Sequence, residues 1–338
     1  MTPPLYALLN SIVGLDRSAM LARVMTVHPA LEASGATVSR AVLAQALNMA
    51  LFSDVLNRVP FAEAYVQDCL RDGAKVFHDH GALRTVAMTG MGGLPAGEEA
   101  IVRLLRPLGY VLAEVYPLDK LRMTGRSYKQ LDYPEDIAQF FISELHPEKF
   151  SEPFQKAVRG VTGRSRDPLS PEAKDLLARI EQNGALSISQ AMTLLPQLLA
   201  CFACQHDTPK LSDYETLLAE SAEMAWIATE GNTFNHATDR VADVDALAQA
   251  QKNLGRPMKD AVEVSASGRV RQTALRAAMV MRKFRRGDGS VIVREVPGSF
   301  YEFISRDSMT DAATGERKLD LGFDSSNAQG IFKMTTAA

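Results

Sequence analysis

The chain carries one short pattern twice, as FHDHGALR at residues 77–84 and as TFNHATDR at residues 233–240. In each copy an aspartate or an asparagine precedes a histidine, and an arginine follows that histidine after three further residues. Both copies are predicted β-strands, in which alternate side chains share one face. The repetition predicts two related half-modules, with one site where the two histidines meet.

The segments that follow each copy repeat a similar order of elements. After a strand over residues 77–90, hydrophobic spacing predicts one helix and three strands, at residues 96–107, 110–116, 122–132 and 140–145. After the strand that begins at Phe234, it predicts one helix and four strands, at residues 244–253, 262–264, 273–280, 289–297 and 299–306. We therefore predict an α+β fold with a duplicated βαβββ core and a curved, mainly antiparallel sheet around the site.

Helical segments are predicted before and between the two half-modules. Apolar residues recur at spacings of three and four within residues 1–70, which indicates amphipathic helices. Residues 147–225 are also predicted to be mostly helical, with a Pro/Ser-rich break in which Ser170 is a helix-start signal. We predict a single catalytic domain of four parts, at residues 1–70, 71–146, 147–225 and 226–335.

The composition excludes several classes of function. The 338 residues are 46% hydrophobic and 23% charged, as in ordinary globular proteins, and the net charge of −3 gives no nucleic-acid-binding footprint. No run of about 18 apolar residues predicts a membrane span, and the first residues do not have the pattern of a signal peptide. We therefore expect a cytoplasmic protein.

The three cysteines agree with a reducing compartment. Cys201 and Cys204 form a CxxC pair with His206 close by, but a zinc site would normally need a second ligand pair, and none is at hand. The pair sits in an apolar, helix-like run, residues 191–203. We interpret these thiols as buried structural residues, with a redox or metal role as the alternative.

His80 and His236 are the first two candidate metal ligands. Each lies on a predicted strand with an arginine on the same face, Arg84 in the first copy and Arg240 in the second, and an apolar core disfavours such polar pairs. Two strands of this kind side by side would surround a cavity suited to a metal and an anionic ligand. His78 shares the predicted face of His80 and is an alternative ligand.

Glu302, in the stretch SFYEFISR at residues 299–306, is the candidate third ligand. Its neighbours are large and apolar, and a buried glutamate must be paired, protonated or bound to a metal. An edge strand with Glu302 facing water is the alternative. Two histidines and one carboxylate leave coordination positions open, which favours non-haem Fe(II) oxygen chemistry.

Three motifs, HDHGALRT at residues 78–85, FNHATDRV at residues 234–241 and FYEFISRD at residues 300–307, together resemble the DUF1338 family. Its characterised members are 2-oxoadipate dioxygenases/decarboxylases, also called D-2-hydroxyglutarate synthases. The resemblance covers roughly residues 20–335. It implies a vicinal-oxygen-chelate-like fold with helical additions.

The resemblance implies that His80, His236 and Glu302 hold Fe(II), with zinc, nickel or another divalent metal as other occupants of the purified protein. The partners would be a small-molecule 2-oxo acid and O₂, and the oxo acid would lose CO₂ and be hydroxylated. For 2-oxoadipate the product would be 2-hydroxyglutarate, at a late step of lysine breakdown. The oligomeric state cannot be predicted from the sequence.

Arg84 is the predicted catalytic residue, because the resemblance implies that it clamps a carboxylate of the substrate. A guanidinium group can hold a carboxylate through two parallel hydrogen bonds. The alternative is an ion pair between Arg84 and Asp79. Gln272 and Arg240 are further candidates for substrate binding. The alternative for Gln272 is that it is only a polar residue that ends a turn, and the alternative for Arg240 is a structural ion pair.

Two other functions stay open at the level of sequence. A glyoxalase-type lyase or isomerase would use a similar core and a divalent metal, usually with a fourth protein ligand, and no convincing fourth ligand is present. A non-enzymatic protein that sequesters a small ligand would not need three metal ligands. The chain is also shorter than the long bacterial members of the family, so the C-terminal contacts that those members make are either missing or supplied by Ser326, Asn327 and the stretch around Gly330.

Overall fold

The computed structural model describes residues 2–310 and 315–324. Among these residues the helices are α1 Pro4–Val13, α2 Leu15–Val24, α3 Arg40–Arg58, α4 Pro60–Asp72, α5 Glu99–Leu105, α6 Glu152–Thr162, α7 Pro171–Asn183, α8 Ile188–Ala200, α9 Leu211–Glu220, α10 Ala222–Glu230 and α11 Val244–Asn253. The strands are β1 Thr37–Ser39, β2 His78–Val86, β3 Tyr110–Leu118, β4 Met123–Gln130, β5 Gln139–Leu145, β6 Ala185–Ser187, β7 His236–Arg240, β8 Glu263–Val264, β9 Val270–Leu275, β10 Met279–Arg285, β11 Val291–Pro297, β12 Phe300–Arg306, β13 Ser308–Thr310 and β14 Arg317–Leu319. Within these ranges no helix has the length and apolar character needed to cross a membrane. Ser326, Asn327 and Gly330, for which substrate contacts are predicted, lie outside the described residues.

Eight strands form one curved sheet in the order β3-β4-β5-β2-β7-β12-β9-β8. The two halves of this order mirror each other, because β2 pairs in parallel with β5 and β7 pairs in parallel with β12. All other neighbours in this sheet are antiparallel, including β2 and β7, which join the halves. Since α5 follows β2 and α11 follows β7, each half is a βαβββ unit. The predicted α+β fold with a duplicated core is confirmed.

The second half contains an extra hairpin that interrupts the repeat. The single strand predicted over residues 273–280 is wrong, because β9 ends at Leu275 and β10 begins at Met279. β10 and β11 pair with each other in a separate two-stranded sheet. Residues 273–280 contain neither glycine nor proline, so the sequence carries no local signal for this break.

The helical segments lie where the sequence predicts them. Helices α1–α4 precede β2, and α6–α10 lie between β5 and β7. Ser170 caps α7, because its side chain accepts a hydrogen bond from the backbone amide of Ala173. The division of the chain into four parts of one catalytic domain stays a prediction.

The two cysteines of the CxxC pair have different environments. Cys201 is buried at the C-terminal end of α8, but Cys204 is exposed, so the prediction of a buried pair is wrong for Cys204. Its Sγ lies 3.4 Å from Nε2 of His206. The helix ends at Ala200, and the apolar periodicity that predicts burial therefore does not extend to Cys204.

One face of the sheet packs against the N-terminal helices. Helix α3 is buried along most of its length, and the ring of its Phe52 contacts the rings of His78 and Tyr301. Gly81 lies against the ring of Phe234, which occupies the space that a Cβ would need. This apolar face fixes the strands, and the opposite face is left for the polar side chains of the site.

A buried carboxyl group lies on the helical face of the sheet. Asp239 in β7 accepts hydrogen bonds from the hydroxyl of Tyr65 at 2.6 Å and from the amide of Phe77 at 2.8 Å. Burial raises the pKa of Asp239 to about 7, and these two hydrogen bonds only partly oppose the rise. The protonated form is therefore the stable form of this group in a mildly acidic solution.

We expect stability to fall as the pH rises from about 4 to about 7, and we expect Asp239→Asn to remove this loss. In the unfolded chain the carboxyl group titrates near 3.9, so the folded state holds the proton more tightly and loses that advantage as the pH rises. Asparagine has the shape of the protonated acid. Urea unfolding should show that the variant is stabilised relative to the wild type at pH 8 but much less at pH 4. A difference that is the same at both pH values would contradict this account.

Candidate metal centre

A β-bulge in β2 turns two consecutive side chains toward the polar face of the sheet. His78 pairs with Asp239 and His80 pairs with Thr238, so two steps along β2 match one step along β7. Asp79 and His80 therefore both face the site, while His78 faces the helices. The prediction that His78 shares the face of His80 is wrong, because strict alternation does not hold across a bulge.

Strand register brings His80, His236 and Glu302 together. Thr238 in β7 pairs with His80 on one side and with Glu302 on the other, and His236 stands two residues earlier in β7. Each of the three candidate ligands offers one ligand atom, and these atoms lie within 4.8 Å of one another. Oε2 of Glu302 is 3.2 Å from Nε2 of His80 and 3.5 Å from Nε2 of His236. The three predicted ligands thus form one cluster.

The chemistry of this cluster fits a divalent metal. Glu302 is fully buried in a central strand, and its Oε1 has no hydrogen-bond partner among the described residues. A buried carboxylate oxygen without a donor is costly, and a bound cation would remove that cost. Two imidazole nitrogens and one carboxylate oxygen leave coordination positions open. In the part of the chain that the structure describes, no fourth His, Cys, Asp or Glu joins the group.

The residue before each histidine holds the Nδ1 atom of that histidine. Oδ1 of Asp79 lies 2.8 Å from Nδ1 of His80, and Oδ1 of Asn235 lies 3.1 Å from Nδ1 of His236. A proton on each Nδ1 leaves Nε2 as the atom that can bind a metal. The repeated Asp/Asn-His dipeptide therefore sets the tautomer and the orientation of both rings.

The two histidines differ in their electrostatic environment. Burial lowers the pKa of His236 to about 3, which keeps the ring neutral and its lone pair available. Burial acts in the same direction on His80, but its hydrogen bonds to Asp79 and Glu302 raise the pKa of that ring above its ordinary value. His80 thus lies beside two carboxylates, Asp79 and Glu302, whereas His236 has the amide of Asn235 in the position that corresponds to Asp79.

Arg306 in β12 supports the candidate site, and the sequence did not predict it. Its buried guanidinium donates to both carboxylate oxygens of Asp79 at 2.9–3.1 Å. Although burial opposes it, this cation holds the pKa of the Asp79 carboxyl well below its usual range. Its Nη1 also donates to the backbone oxygens of Asp320 and Gly322, at 2.8 Å each. The sequence contained one signal for this role, because Arg306 lies on the same predicted strand face as Glu302.

Residues 319–324 form a closing segment over the cluster. The ring of Phe323 lies with its centroid 4.8 Å from that of His80, and it also packs against Tyr116 and Phe141. The amide of Phe323 donates to the hydroxyl of Tyr116 at 3.1 Å. The aromatic ring therefore shields one side of the candidate ligand cluster from water. Because Arg306 binds both Asp79 and this segment, it links the orientation of His80 to closure of the site.

The structure brings two of the three predicted substrate ligands to the cluster. Arg84 and Gln272 line the same cavity as His80 and His236. Arg84 is buried, its guanidinium carbon lies 4.9 Å from the ring centre of Trp226, and burial lowers its pKa to about 10. This guanidinium therefore stays charged at neutral pH beside the candidate metal ligands. Substrate binding by Arg84 and Gln272 stays a prediction.

Arg240 has a different set of contacts. Its Nη2 donates to the backbone oxygen of Glu135 at 2.6 Å, its Nε lies 3.6 Å from Asp79, and its guanidinium lies over the ring of Phe77. It is not among the described residues that line the cavity. These contacts agree with the structural ion pair considered as the alternative, and a substrate contact by Arg240 stays a prediction that the geometry does not favour.

A family model decides the relationship of this chain to known proteins. The model of the 2-oxoadipate dioxygenase/decarboxylase family matches residues 49–320, which contain both repeats and all three candidate ligands. The chain belongs to this family. The resemblance inferred from the three motifs is thereby confirmed.

Curated members of the 2-oxoadipate dioxygenase/decarboxylase family match most of the chain. The chloroplastic protein of that name from Arabidopsis thaliana is 23% identical over 312 residues, which are 83% of this chain and 74% of that protein. The chloroplastic/amyloplastic protein from Oryza sativa subsp. japonica is 24% identical over 291 residues, which are 78% of this chain and 71% of that protein. The similarity therefore extends well beyond the ligand motifs.

Solved structures share the fold. A glyoxalase-superfamily protein from Ralstonia eutropha JMP134 is 53% identical, with a TM-score of 0.90 over 96% of this chain and 99% of that chain. The hydroxyglutarate synthase from Oryza sativa in complex with 2-oxoadipate is 19% identical, with a TM-score of 0.66 over 88% of this chain and 93% of that chain. A Shigella flexneri protein that includes domain DUF1338 is also 19% identical, with a TM-score of 0.64 over 81% of this chain and 78% of that chain.

Arg306→Leu should lower the free energy of unfolding by about 3–5 kcal/mol, because the buried Asp79 would lose the cation that donates to both of its oxygen atoms and would keep Arg240, at 3.6 Å, as a weaker partner. The double variant Arg306→Leu/Asp79→Asn should recover most of this loss, since the buried carboxylate would be gone and Arg240 is partly exposed to water. Urea unfolding of the two variants measures both effects.

Arg269→Leu is the matched control for this prediction. Arg269 also binds the closing segment, through an ion pair with Asp320 at 2.7 Å, but its side chain is 42% exposed. An exposed pair of this kind contributes about 1 kcal/mol or less. If Arg306→Leu cost no more than Arg269→Leu, the buried Arg306–Asp79 pair would not be the element that stabilises this edge of the site.

Proposed function

We propose that the chain is a cytoplasmic, Fe(II)-dependent dioxygenase/decarboxylase that converts 2-oxoadipate and O₂ to 2-hydroxyglutarate and CO₂ in lysine breakdown. The observation that carries this proposal is the convergence of His80, His236 and Glu302 beside a cavity that Arg84 also lines. Membership of the family supports the reaction. The fold shared with the 2-oxoadipate complex from Oryza sativa agrees with the substrate.

The side chains have separate tasks in this reaction. The three ligands hold Fe(II), which when bound supplies open coordination positions for the oxo acid and for O₂. Arg84 holds the distal carboxylate of the substrate through two parallel hydrogen bonds and so places the rest of the molecule at the ligands. Phe323 and the buried strands keep bulk water away from the reacting carbon atoms.

The proposed reaction balances without a second oxo acid. The bond between the first and second carbon atoms of 2-oxoadipate breaks, and the first carbon leaves as CO₂. The keto carbon becomes a carboxylate with one oxygen atom of O₂, and the other oxygen atom becomes a hydroxyl group on the neighbouring carbon. No external reductant is consumed.

A glyoxalase-type lyase or isomerase is the second candidate. The observation in its favour is that the Ralstonia eutropha protein, which is 53% identical, is named as a glyoxalase-superfamily protein. Three ligands instead of four, within the described residues, favour the oxygenase. A binding protein without activity would have no need of this ligand set.

The test is O₂ uptake by protein that has been loaded with Fe(II) under anaerobic conditions. We expect 2-oxoadipate to trigger uptake, with CO₂ and 2-hydroxyglutarate formed in equal amounts, and we expect His80→Ala to abolish both. If no 2-oxo diacid caused uptake despite bound metal, the proposal would be overturned. Turnover with Zn(II) or Ni(II) and without O₂ would instead indicate a lyase or an isomerase.

A further inference from the structure

We propose that Asn235 binds the substrate directly, with its side-chain amide donating a hydrogen bond to an oxygen atom of the bound oxo acid. Its other end, Oδ1, holds the metal ligand His236. This inference rests on the proposed function, because it names a further residue that recognises the same 2-oxo acid. Asn235 would then connect the orientation of a metal ligand with the presence of the substrate.

The first observation is an unpartnered donor in the cavity. Asn235 is 3% exposed and lines the same cavity as Arg84 and His236. Its Nδ2 is buried and has no hydrogen-bond partner among the described residues. A buried amide donor without an acceptor is costly, because it has lost its hydrogen bonds to water. An anionic substrate in this cavity would supply the missing acceptor.

The second observation fixes which end of the amide faces the cavity. Oδ1 of Asn235 lies 3.1 Å from Nδ1 of His236. If Nε2 of His236 binds a metal, Nδ1 must carry the proton and therefore needs an acceptor. Only the oxygen of the amide can accept that proton. The NH₂ group is consequently the end that is left for a ligand.

The third observation comes from the repeat. Asp79 occupies the equivalent position before His80 and also uses both ends, because one oxygen faces Nδ1 of His80 and the carboxylate binds Arg306. In the first half-module, the group that Asp79 binds on the side away from His80 is thus the cation of Arg306. An acidic residue is suitable at this position because it pairs with that cation. In the second half-module, the corresponding group is the NH₂ of Asn235, which is a hydrogen-bond donor. It lies in the cavity that Arg84 also lines, and these two donors together suit an anionic ligand.

Two substitutions separate a substrate contact from a purely structural role. Asn235→Asp keeps an oxygen for Nδ1 of His236 but replaces the NH₂ donor by an anionic oxygen. Asn235→Ala removes both ends without adding charge. If Asn235 only orients His236, metal-loaded Asn235→Ala should bind the oxo acid as tightly as the wild type, because this variant adds no charge to the cavity. If it also donates to the oxo acid, the aspartate variant should bind the oxo acid more weakly than the alanine variant.

The experiment is calorimetric titration of 2-oxoadipate into protein loaded with Zn(II), in the absence of O₂, together with measurement of the metal content and of Zn(II) affinity. We expect the dissociation constant of 2-oxoadipate to rise about tenfold in Asn235→Ala and further in Asn235→Asp. For Zn(II) we expect the opposite order, with Asn235→Asp retaining the metal at least as well as the wild type and Asn235→Ala retaining it less well.

Each outcome decides between the two ideas. Wild-type affinity for 2-oxoadipate in metal-loaded Asn235→Asp would overturn the substrate contact and leave the proposed function intact. If the metal-loaded wild type bound neither 2-oxoadipate nor any other 2-oxo acid, both the proposed function and this inference would be overturned. Asn48→Asp, in which a buried asparagine of α3 changes in the same way away from the cavity, controls for the cost of a buried carboxylate.

Discussion

Glu302→Gln should abolish retention of Fe(II) and lower kcat/KM for 2-oxoadipate on the order of a thousandfold. Glutamine has the same size and can still hydrogen-bond to Thr238, whose hydroxyl lies 2.8 Å from Oε2 of Glu302. However, it replaces the anionic ligand by a neutral amide beside two neutral imidazole ligands. A bound metal contributes several kcal/mol to catalysis of this kind, and each 1.36 kcal/mol is tenfold in rate. Metal analysis after desalting and steady-state kinetics measure the two effects.

Glu144→Gln is the matched control for this experiment. Glu144 is a buried glutamate in β5 of the same sheet, and it accepts hydrogen bonds from the amide of Glu98 and from Arg126. The substitution removes one buried negative charge without touching the cluster, so metal content should equal that of the wild type. If Glu302→Gln retained Fe(II), or if Glu144→Gln lost it to the same extent, Glu302 would not be the carboxylate ligand.

The core of the site was predictable because its residues break local rules in a repeated way. A histidine and an arginine on one face of each repeated strand do not suit an apolar core, and Glu302 stands among aromatic residues for which a free carboxylate is costly. These conflicts between residue type and burial are readable without a structure. They were sufficient to name the three candidate ligands, which the structure brings into one cluster, and the duplicated core that holds them.

The supporting residues were not predictable because they depend on register and on distant segments. The bulge at Asp79 shifts His78 to the opposite face, and residues 78–80, where the register shifts, contain neither glycine nor proline to mark it. Arg306 and Phe323 reach the cluster through pairing of β12 with β7 and through the closing segment, whose position no local pattern specifies. Sequence periodicity identifies faces of elements, but it does not show which faces meet.

Arg84→Lys should lower kcat/KM for 2-oxoadipate about 100-fold, although the positive charge is kept. Lysine is a point charge and cannot form the two parallel hydrogen bonds by which a guanidinium fixes a carboxylate. A substrate that is misplaced by about 1 Å loses a factor of this size. The loss should be confined to substrates with a distal carboxylate, so 2-oxohexanoate should be turned over by the variant and by the wild type at rates within a few-fold. Steady-state kinetics with both substrates measures the difference.

This comparison of substrates separates recognition of the carboxylate from packing. Arg84 also lies against the ring of Trp226, so a substitution could act by disturbing the wall of the cavity. In that case turnover of 2-oxoadipate and of 2-oxohexanoate would fall together. Arg282→Lys provides the control outside the cavity, because Arg282 holds the carboxylate of Glu230 through two hydrogen bonds of 2.7 Å and should leave both rates unchanged. Wild-type turnover of 2-oxoadipate by Arg84→Lys would show that the distal carboxylate is held elsewhere, and Gln272 would then be the next residue to test.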